Sequence, residues 1–357
     1  MLEILNQFLL SGRAISCEPY GNGHINRTYL VITDAGRRYI LQRINDAIFR
    51  DVEGLMRNIA LVTDYLRAHG QTGRNALSLV PTKDGARYLH SLDGGFYRVY
   101  EFIEDSVCLE RAENEEDFRQ SGVAFGEFQR QLADFPAHTL TETIPHFHDT
   151  RDRYRLFREA LAADAFQRAQ EVQPEIAFVL SREAMAGSML SMLESGALPL
   201  RVTHNDTKLN NVMLDAATRK PLCVIDLDTV MPGLAGNDFG DSIRFGASTA
   251  PEDEQDLSRV EMSLSLYRAY ADGFLSACGN SLQPAELETL PLGAMLMTLE
   301  CGVRFLTDYL QGDTYFRIHR AKHNLDRCRT QFHLVADMER KQDAMLNIVM
   351  ELARNAS

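Results

Sequence analysis

The sequence has little of what would tie the protein to a membrane, to nucleic acid or to an oxidising compartment. No apolar run approaches the roughly 20 residues that span a bilayer, and the first six residues lack the basic segment of a signal peptide. The chain also has fewer basic than acidic residues, 37 against 50, which gives a formal net charge of −13. Such an acidic chain is a poor partner for nucleic acid or anionic lipid. The six cysteines are scattered without a C-x-x-C pair, as is typical of reduced thiols. We therefore expect a cytoplasmic protein with no membrane or nucleic-acid partner, and the oligomeric state stays open.

The remaining composition is that of an ordinary globular chain with room for about two domains. It has 357 residues, of which 45% are hydrophobic and 24% are charged. The first hundred residues alternate β-branched and aromatic runs with Asn-Gly and Asp-x-Gly turns, which is typical of hairpins. Apolar residues at three- and four-residue spacing predict one amphipathic helix over 51–68. The expected fold class is α+β with two lobes: a small antiparallel five-stranded lobe with one helix over 1–103, and a large, mostly helical lobe over 104–357.

One non-helical insert, over 201–228, interrupts the helical part and carries the strongest chemical pattern. It reads H-x-D-x-x-x-x-N from His204 to Asn211, and Asp226 then closes a hydrophobic strand. This arrangement is typical of phosphoryl-transfer enzymes with a kinase-like fold. Asp206 would orient a substrate hydroxyl and accept its proton, while Asn211 and Asp226 would hold Mg²⁺, because hard cations prefer oxygen ligands. Asp228 is a second candidate ligand, since the two-residue period of a strand would place it on the same face as Asp226.

A second acidic motif further along the chain competes for the metal. Asp238-Phe239-Gly240 spells the metal motif of protein kinases, but it is expected to open a helix. Asp226 follows the returning strand of the predicted hairpin, where it can face the catalytic loop. We therefore assign the metal to Asp226 and expect Asp238 and Asp241 to cap and brace the helix that follows.

The small lobe offers weaker signals for a nucleotide. Gly21, Asn22 and Gly23 stand where a loop could cover phosphates, although a plain hairpin turn explains them equally well. Glu101 and Ile103 end the last strand of this lobe, where backbone groups could bind an adenine base.

The cation that kinase-like enzymes place on the third strand is missing. Only Lys83 precedes the catalytic loop, and it lies in a predicted turn. Arg43 on the third strand is the best substitute, because a guanidinium suits bidentate phosphate contact. Glu53 on the predicted helix would be its partner. The alternative is a solvated surface ion pair with no such role.

The stretches 203–211, 224–233 and 301–310 resemble the aminoglycoside phosphotransferase/choline kinase family of small-molecule kinases. No arginine stands between His204 and Asp206, and no Ala-Pro-Glu motif follows, which separates the chain from protein kinases. Within the family, the sequence is most similar to members that phosphorylate the anomeric hydroxyl of N-acetylhexosamines. The resemblance implies a protein-kinase-like fold, ATP as phosphoryl donor, Mg²⁺ as cofactor and an amino sugar as substrate. It also makes Arg304 and Tyr315 candidate sugar contacts, with ordinary helix packing or a surface pair as the alternative for each. His24 is a further candidate, because the loop that starts at Gly21 could bring it to the sugar.

Three other functions stay open. The first is a kinase of the same fold that acts on an amino alcohol, homoserine or an aminoglycoside; a cationic acceptor would call for an acidic pocket, whereas Arg304 favours a neutral sugar. The second is a metal-dependent hydrolase that uses the aspartates. The third is a nucleotide-binding regulator without activity, which the intact set of Asp206, Asn211 and Asp226 argues against.

Overall fold

The computed structural model describes residues 1–21 and 25–356 and divides the chain into two compact units. The first unit consists of 1–108, 134–145 and 212–232, and the second of 109–133, 146–211 and 233–357. The predicted division after residue 103 lies close to the first break. The prediction did not include the two later segments, 134–145 and 212–232, that belong to the first unit.

Apart from the short helix α1, the regular elements follow the predicted order: strands with one long helix come first, and helices interrupted by the strands of the insert come later. The helices are α1 (Leu2–Leu5), α2 (Val52–Ala68), α3 (Glu115–Gln131), α4 (Thr150–Ala163), α5 (Gln173–Leu180), α6 (Glu183–Ala186), α7 (Ser188–Glu194), α8 (Ala235–Gly246), α9 (Leu264–Cys278), α10 (Pro284–Leu310) and α11 (His323–Ala356). The strands are β1 (Ala14–Pro19), β2 (Arg27–Thr33), β3 (Arg38–Ile44), β4 (Leu79–Val80), β5 (Leu89–His90), β6 (Phe96–Glu101), β7 (Ser106–Val107), β8 (Arg201–Thr203), β9 (Val212–Asp215), β10 (Pro221–Val224) and β11 (Met231–Gly233).

The main sheet of the first unit is antiparallel and has six strands rather than the predicted five. Its order is β1-β2-β3-β6-β4, and β5 also pairs with β6. The sixth strand arises because two very short strands, Leu79–Val80 and Leu89–His90, both pair with β6. Two-residue strands give no period-two signal, so the sequence pattern could not separate them from turns. The predicted helix over 51–68 is present as α2, and Asp51 Oδ1 accepts a capping hydrogen bond from the Gly54 N–H at 2.8 Å.

The two faces of this sheet differ: one packs an apolar cluster, and the other carries the buried Arg98 against α2. In the register of β3 against β6, Gln42 lies opposite Arg98 and Arg43 lies opposite Tyr97. Because side chains alternate along a strand, Gln42 and Arg98 share one face and Arg43 points to the other. The Arg43 face packs an apolar cluster against the N-terminal segment: Leu5, Phe8, Tyr39, Leu41, Tyr97 and Val99. The opposite face contacts α2, where Met56 Sδ lies 3.9 Å from Arg98 Nη1.

A small second sheet in the first unit carries the end of the insert. β9 pairs antiparallel with β10, and Val224 lies opposite Val212, the residue that follows Asn211. The predicted pairing of these strands is therefore confirmed. β7 pairs with the other edge of β9.

Close helix packing builds the second unit. A Cβ on Gly122 of α3 would lie 2.3 Å from the Tyr270 carbonyl oxygen of α9, and a Cβ on Gly240 of α8 would lie 2.3 Å from the Gly293 carbonyl oxygen of α10. Both positions therefore require glycine for backbone contact. α10 is long and apolar enough to cross a membrane. However, 83% of its most apolar 18-residue stretch is buried inside the protein, as expected for the central helix of this unit.

Candidate active site

The side chain of Asp238 binds the backbone of the loop that follows β8. Its two carboxylate oxygens accept the backbone N–H groups of His204 at 2.9 Å and Asn205 at 2.8 Å. Gln129 Nε2 donates to the same carboxylate at 2.9 Å and to the Val202 carbonyl at 3.1 Å. Burial raises the pKa of Asp238, although these hydrogen bonds and His204 oppose the shift. The catalytic loop is thus anchored in the interior of the second unit.

Asp241 fixes the next residues of the same loop. It accepts the Thr207 N–H at 3.0 Å and forms an ion pair with Arg244 at 3.0 Å. Burial alone would raise the pKa of Asp241, but Arg244 and Lys208 outweigh it and lower the pKa. α8 begins after Leu234 without a side-chain cap. The expectation that Asp238 and Asp241 cap this helix is therefore wrong, because both carboxylates are bound to the catalytic loop.

Asp206, the predicted base, has both carboxylate oxygens held by neighbouring side chains. Lys208 Nζ lies 2.7 Å from Oδ1, and Asn211 Nδ2 donates to Oδ2 at 3.2 Å. Asn211 Nδ2 also donates to the Asp206 carbonyl at 2.8 Å. Burial lowers the pKa of Lys208, but Asp206 and Asp241 raise it overall, so the ammonium stays charged beside the base. The geometry provides a carboxylate in one fixed orientation with a cation next to it.

Asn211 of the second unit and Asp226 of the first each carry an oxygen of the kind that a divalent cation binds. Because both hydrogen bonds of the Asn211 amide use its nitrogen, its oxygen is the end that can bind a cation. Asp226 follows β10 in the left-handed conformation, with φ 58° and ψ 56°. Amide and carboxylate oxygens are the ligands that Mg²⁺ prefers.

Asp228 was predicted as a second ligand because it would share a strand face with Asp226. The structure shows that it does not. β10 ends at Val224 and residues 227–229 form a 3₁₀ turn, so the two-residue period does not apply. Asp228 is 4% exposed. Its Oδ1 lies 2.6 Å from Arg98 Nη1, and its Oδ2 accepts from Asn26 Nδ2 at 2.5 Å. The structure therefore disfavours Asp228 as a metal ligand, because both oxygens bind protein donors.

Arg98 is a buried cation in the described part of the first unit, and the sequence pattern did not predict it. Its side chain is 1% exposed, and its Nε donates to Gln42 Oε1 at 2.9 Å. Burial lowers the pKa of Arg98, but Asp228, Tyr100 and Asp226 raise it overall. β3 therefore carries Gln42 at this position instead of the lysine that kinase-like enzymes place on the third strand. The positive charge is that of Arg98 on the neighbouring strand β6.

Arg43 and Glu53 do not form the predicted pair within the described part of the chain. The Arg43 guanidinium lies on the sheet face opposite Arg98, 6.0 Å from the ring centroid of Tyr97. Glu53 is exposed in the first turn of α2, on the other side of the sheet. A pairing between them is prevented because the sheet separates the two side chains.

The predicted nucleotide loop is described only in part. Gly21 is exposed with φ 75°, a left-handed conformation that suits glycine; Asn22, Gly23 and His24 lie outside the described residues. Glu101 is exposed, and its N–H donates to the Ser78 carbonyl at 2.9 Å. Ile103 is buried, and its carbonyl accepts from Ser106 Oγ at 2.5 Å. A role for these residues in nucleotide binding stays a prediction.

Arg304 and Tyr315, the predicted acceptor contacts, come together in the second unit. The Arg304 guanidinium carbon lies 5.9 Å from the Tyr315 ring centroid and 5.4 Å from that of Phe316. The Tyr315 ring is exposed, while its backbone N–H donates to Asp308 Oδ1 at 2.8 Å. Arg153 brings a second guanidinium group close to Arg304. Burial is the larger cause that lowers the pKa of Arg153, and the charge of Arg304 lowers it further.

Comparison with known proteins agrees with this arrangement. The sequence model of the phosphotransferase enzyme family matches residues 16–272. The fold is similar to that of a microcompartment-associated aminopropanol kinase, at 17% identity with 96% of this chain and 97% of that chain covered and a TM-score of 0.57. It is also similar to amicoumacin kinase hAmiN in complex with AMP-PNP and Ca²⁺, at 15% identity, with 95% and 92% covered and a TM-score of 0.59. Choline kinase LicA from Streptococcus pneumoniae matches at 13% identity, with 92% and 94% covered and a TM-score of 0.52. At these identities the solved structures establish the fold alone.

Proposed function

Because the chain belongs to the phosphotransferase enzyme family, we propose that it is an ATP-dependent kinase of a small-molecule alcohol. The acceptor proposed is the anomeric 1-hydroxyl of an N-acetylhexosamine, either N-acetylglucosamine or N-acetylgalactosamine, and the product is the sugar 1-phosphate. One observation carries the kinase proposal: Lys208 and Asn211 hold the carboxylate of Asp206, the aspartate of the H-x-D motif. We propose a cytoplasmic location on the sequence grounds given above.

The reaction needs positioning and charge neutralisation more than covalent help from the protein. Asp206 accepts the proton of the attacking hydroxyl, because Lys208 and Asn211 hold its carboxylate in one orientation. Lys208 lies 2.7 Å from Asp206 and can neutralise negative charge on the transferred phosphoryl group. Asn211 and Asp226 would hold Mg²⁺, which supplies charge stabilisation for the nucleotide phosphates when bound.

The charges around Arg304 support a neutral acceptor. Arg304 and Arg153 place two guanidinium groups in this region, and their carboxylate neighbour Glu300 is bound by His148 at 3.0 Å and Thr150 at 2.9 Å. A cationic acceptor would face like charge there, whereas hydroxyl and acetamido oxygens can accept hydrogen bonds from guanidinium. This argues for a sugar and against choline, ethanolamine or a polyamine antibiotic.

The direct test is an acceptor panel assayed for ADP release in the presence of ATP and Mg²⁺. The panel contains N-acetylglucosamine, N-acetylgalactosamine, choline, an amino propanol, homoserine and an aminoglycoside. We expect turnover with the N-acetylhexosamines and an acid-labile 1-phosphate, identified by phosphorus NMR. Turnover with only a cationic alcohol would overturn the choice of acceptor but not the kinase assignment. ADP release that depends on no acceptor would contradict both.

Replacing Arg304 by alanine tests the acceptor site. A hydrogen bond from a charged group contributes about 1.5–3 kcal/mol, so we expect the KM for the N-acetylhexosamine to rise roughly 10- to 150-fold. The KM for ATP should change little. Steady-state kinetics with each substrate varied in turn measures both values.

Arg317→Ala is the matched control, since Arg317 is exposed two residues beyond Tyr315 and has no assigned role. A change of less than twofold in the acceptor KM of Arg304→Ala would remove Arg304 from the site. An equal rise in both KM values would indicate a structural effect instead.

A further inference from the structure

His148 lies between two oxygen acceptors that the proposed chemistry does not use. Its Nδ1 is 3.0 Å from Glu300 Oε1, and its Nε2 is 3.3 Å from the backbone carbonyl of Asn205. The imidazole side chain is 12% exposed and that of Glu300 is 3% exposed, so water has little access to the pair. Thr150 Oγ1 donates to the other oxygen of Glu300 at 2.9 Å, which fixes the carboxylate.

Neither neutral form of the imidazole satisfies both contacts. A neutral ring has one N–H and one lone pair, so one nitrogen would present its lone pair to an oxygen. An imidazolium has two N–H groups and can donate to both. Burial alone lowers the pKa of His148, but Glu300 and, more weakly, Asp241 and the Asn205 carbonyl raise it overall. The guanidinium groups of Arg153 and Arg304 act on Glu300, whose pKa they lower together with His148.

The residue that His148 contacts has a left-handed backbone conformation. Asn205 has φ 65°, which is uncommon for a residue other than glycine, and it directly precedes Asp206. Its N–H is bound by Asp238 at 2.8 Å and its carbonyl by His148 at 3.3 Å. Both backbone polar groups of Asn205 are therefore bound by ionisable side chains, one from α8 and the other from the segment before α4.

We propose that His148, as an imidazolium bound between Glu300 and the Asn205 carbonyl, is a positioning residue that fixes the backbone of the catalytic loop beside Asp206. The inference rests on the proposed kinase function only for its kinetic consequence. The contact is complete below a pH of about 6.5, the ordinary value for histidine, and it is lost as the pH rises through the higher pKa of the folded protein. Glu300 links this contact to the acceptor region, because Arg304 lies one helical turn further along α10.

The first experiment needs no activity. The ring resonances of His148, assigned by their loss in His148→Gln, are titrated by NMR in the full chain. We expect a midpoint above that of an exposed histidine, and the Asn205 and Asp206 amide resonances should move with the same midpoint. Glu300→Gln removes the carboxylate and should lower the His148 midpoint by about one pH unit or more. A midpoint at or below the ordinary value, or one that Glu300→Gln leaves unchanged, would overturn the proposal.

The second experiment follows kcat against pH with an N-acetylhexosamine and ATP at saturation. We expect kcat to fall at high pH with the His148 midpoint and the fall to move to lower pH in Glu300→Gln. In His148→Gln, which folds without an ionisable group there, kcat should be lower and that limb absent. His146→Gln is the control, because His146 is an exposed neighbour paired with Asp149 at 3.2 Å, and its profile should equal that of the parent. An alkaline limb that persists in His148→Gln would refute the kinetic role. If no acceptor is turned over, the proposed function fails while the NMR titration still decides the state of His148.

Discussion

Asp206→Asn should reduce turnover about 10²- to 10⁴-fold, the usual contribution of a general base. Asparagine keeps the shape of the side chain and can still accept from Asn211, but it cannot take the proton of the attacking hydroxyl. Nucleotide affinity and folding should stay close to those of the parent. The Asp206 and Lys208 side chains are 29% and 37% exposed, so solvent screens their ion pair and its loss costs little stability. Initial rates at saturating ATP and sugar, with calorimetric titration of Mg·ATP, measure both properties.

Asp343→Asn serves as the matched control, because Asp343 is exposed on α11. Its turnover should equal that of the parent. If Asp206→Asn retained turnover within tenfold of the parent, Asp206 would not be the base. A parallel loss of nucleotide affinity would instead mean that the substitution disturbs the whole loop.

The parts of the site that the sequence predicts are those whose geometry is local. Asp206 and Asn211 lie five residues apart in one loop, and their side chains meet in the structure. The pairing of β9 with β10 follows from two short apolar runs joined by a turn. The helix α2 follows from its apolar spacing and the Asp51 cap. In each case the residues that specify the structure are neighbours in the chain.

The parts that could not be predicted depend on which residues distant segments bring together. His148 and Glu300 are 152 positions apart, and no local pattern marks their contact. Whether Arg43 or Arg98 lies on the sheet face that contacts α2 depends on the register of β3 against β6, since a shift of one residue exchanges the two faces. One signal for Arg98 was present: it is the one charged residue within 96–100, and four of these five residues are buried. A charge inside a buried strand needs a partner, and Asp228 supplies it.

The ion pair between Arg98 and Asp228 explains how the turn after β10 keeps its shape. Asp226 occupies a left-handed conformation two residues before Asp228. Arg98 and Asn26 bind the two oxygens of Asp228, while Asn58 Nδ2 donates to the Val230 carbonyl at 3.0 Å. The turn that carries the proposed metal ligand Asp226 is thus tied to β6 and α2 through buried polar contacts.

Arg98→Met should therefore be strongly destabilising. Removing one partner of a buried ion pair leaves the other charge without compensation, which costs about 3–5 kcal/mol. The Arg98 and Asp228 side chains are 1% and 6% exposed, so water cannot replace the lost contact. Chemical denaturation monitored by circular dichroism gives the free energy of unfolding. Arg43→Met is the control for stability: it lies one strand away on the opposite face, is half-buried, and should lose less than about 1 kcal/mol.

The double variant Arg98→Met with Asp228→Asn separates charge from packing. If the cost of Arg98→Met comes from the charge left on Asp228, removing that charge should restore more than half of the lost free energy, and the two substitutions should be strongly non-additive. With folding restored, the concentration of Mg²⁺ needed for half-maximal ATP turnover should still be raised, because the ion pair that fixes the turn carrying Asp226 is gone. Additive losses would mean that Arg98 contributes by packing alone. A double variant with the Mg²⁺ dependence of the parent would mean that the buried pair stabilises the fold without orienting Asp226.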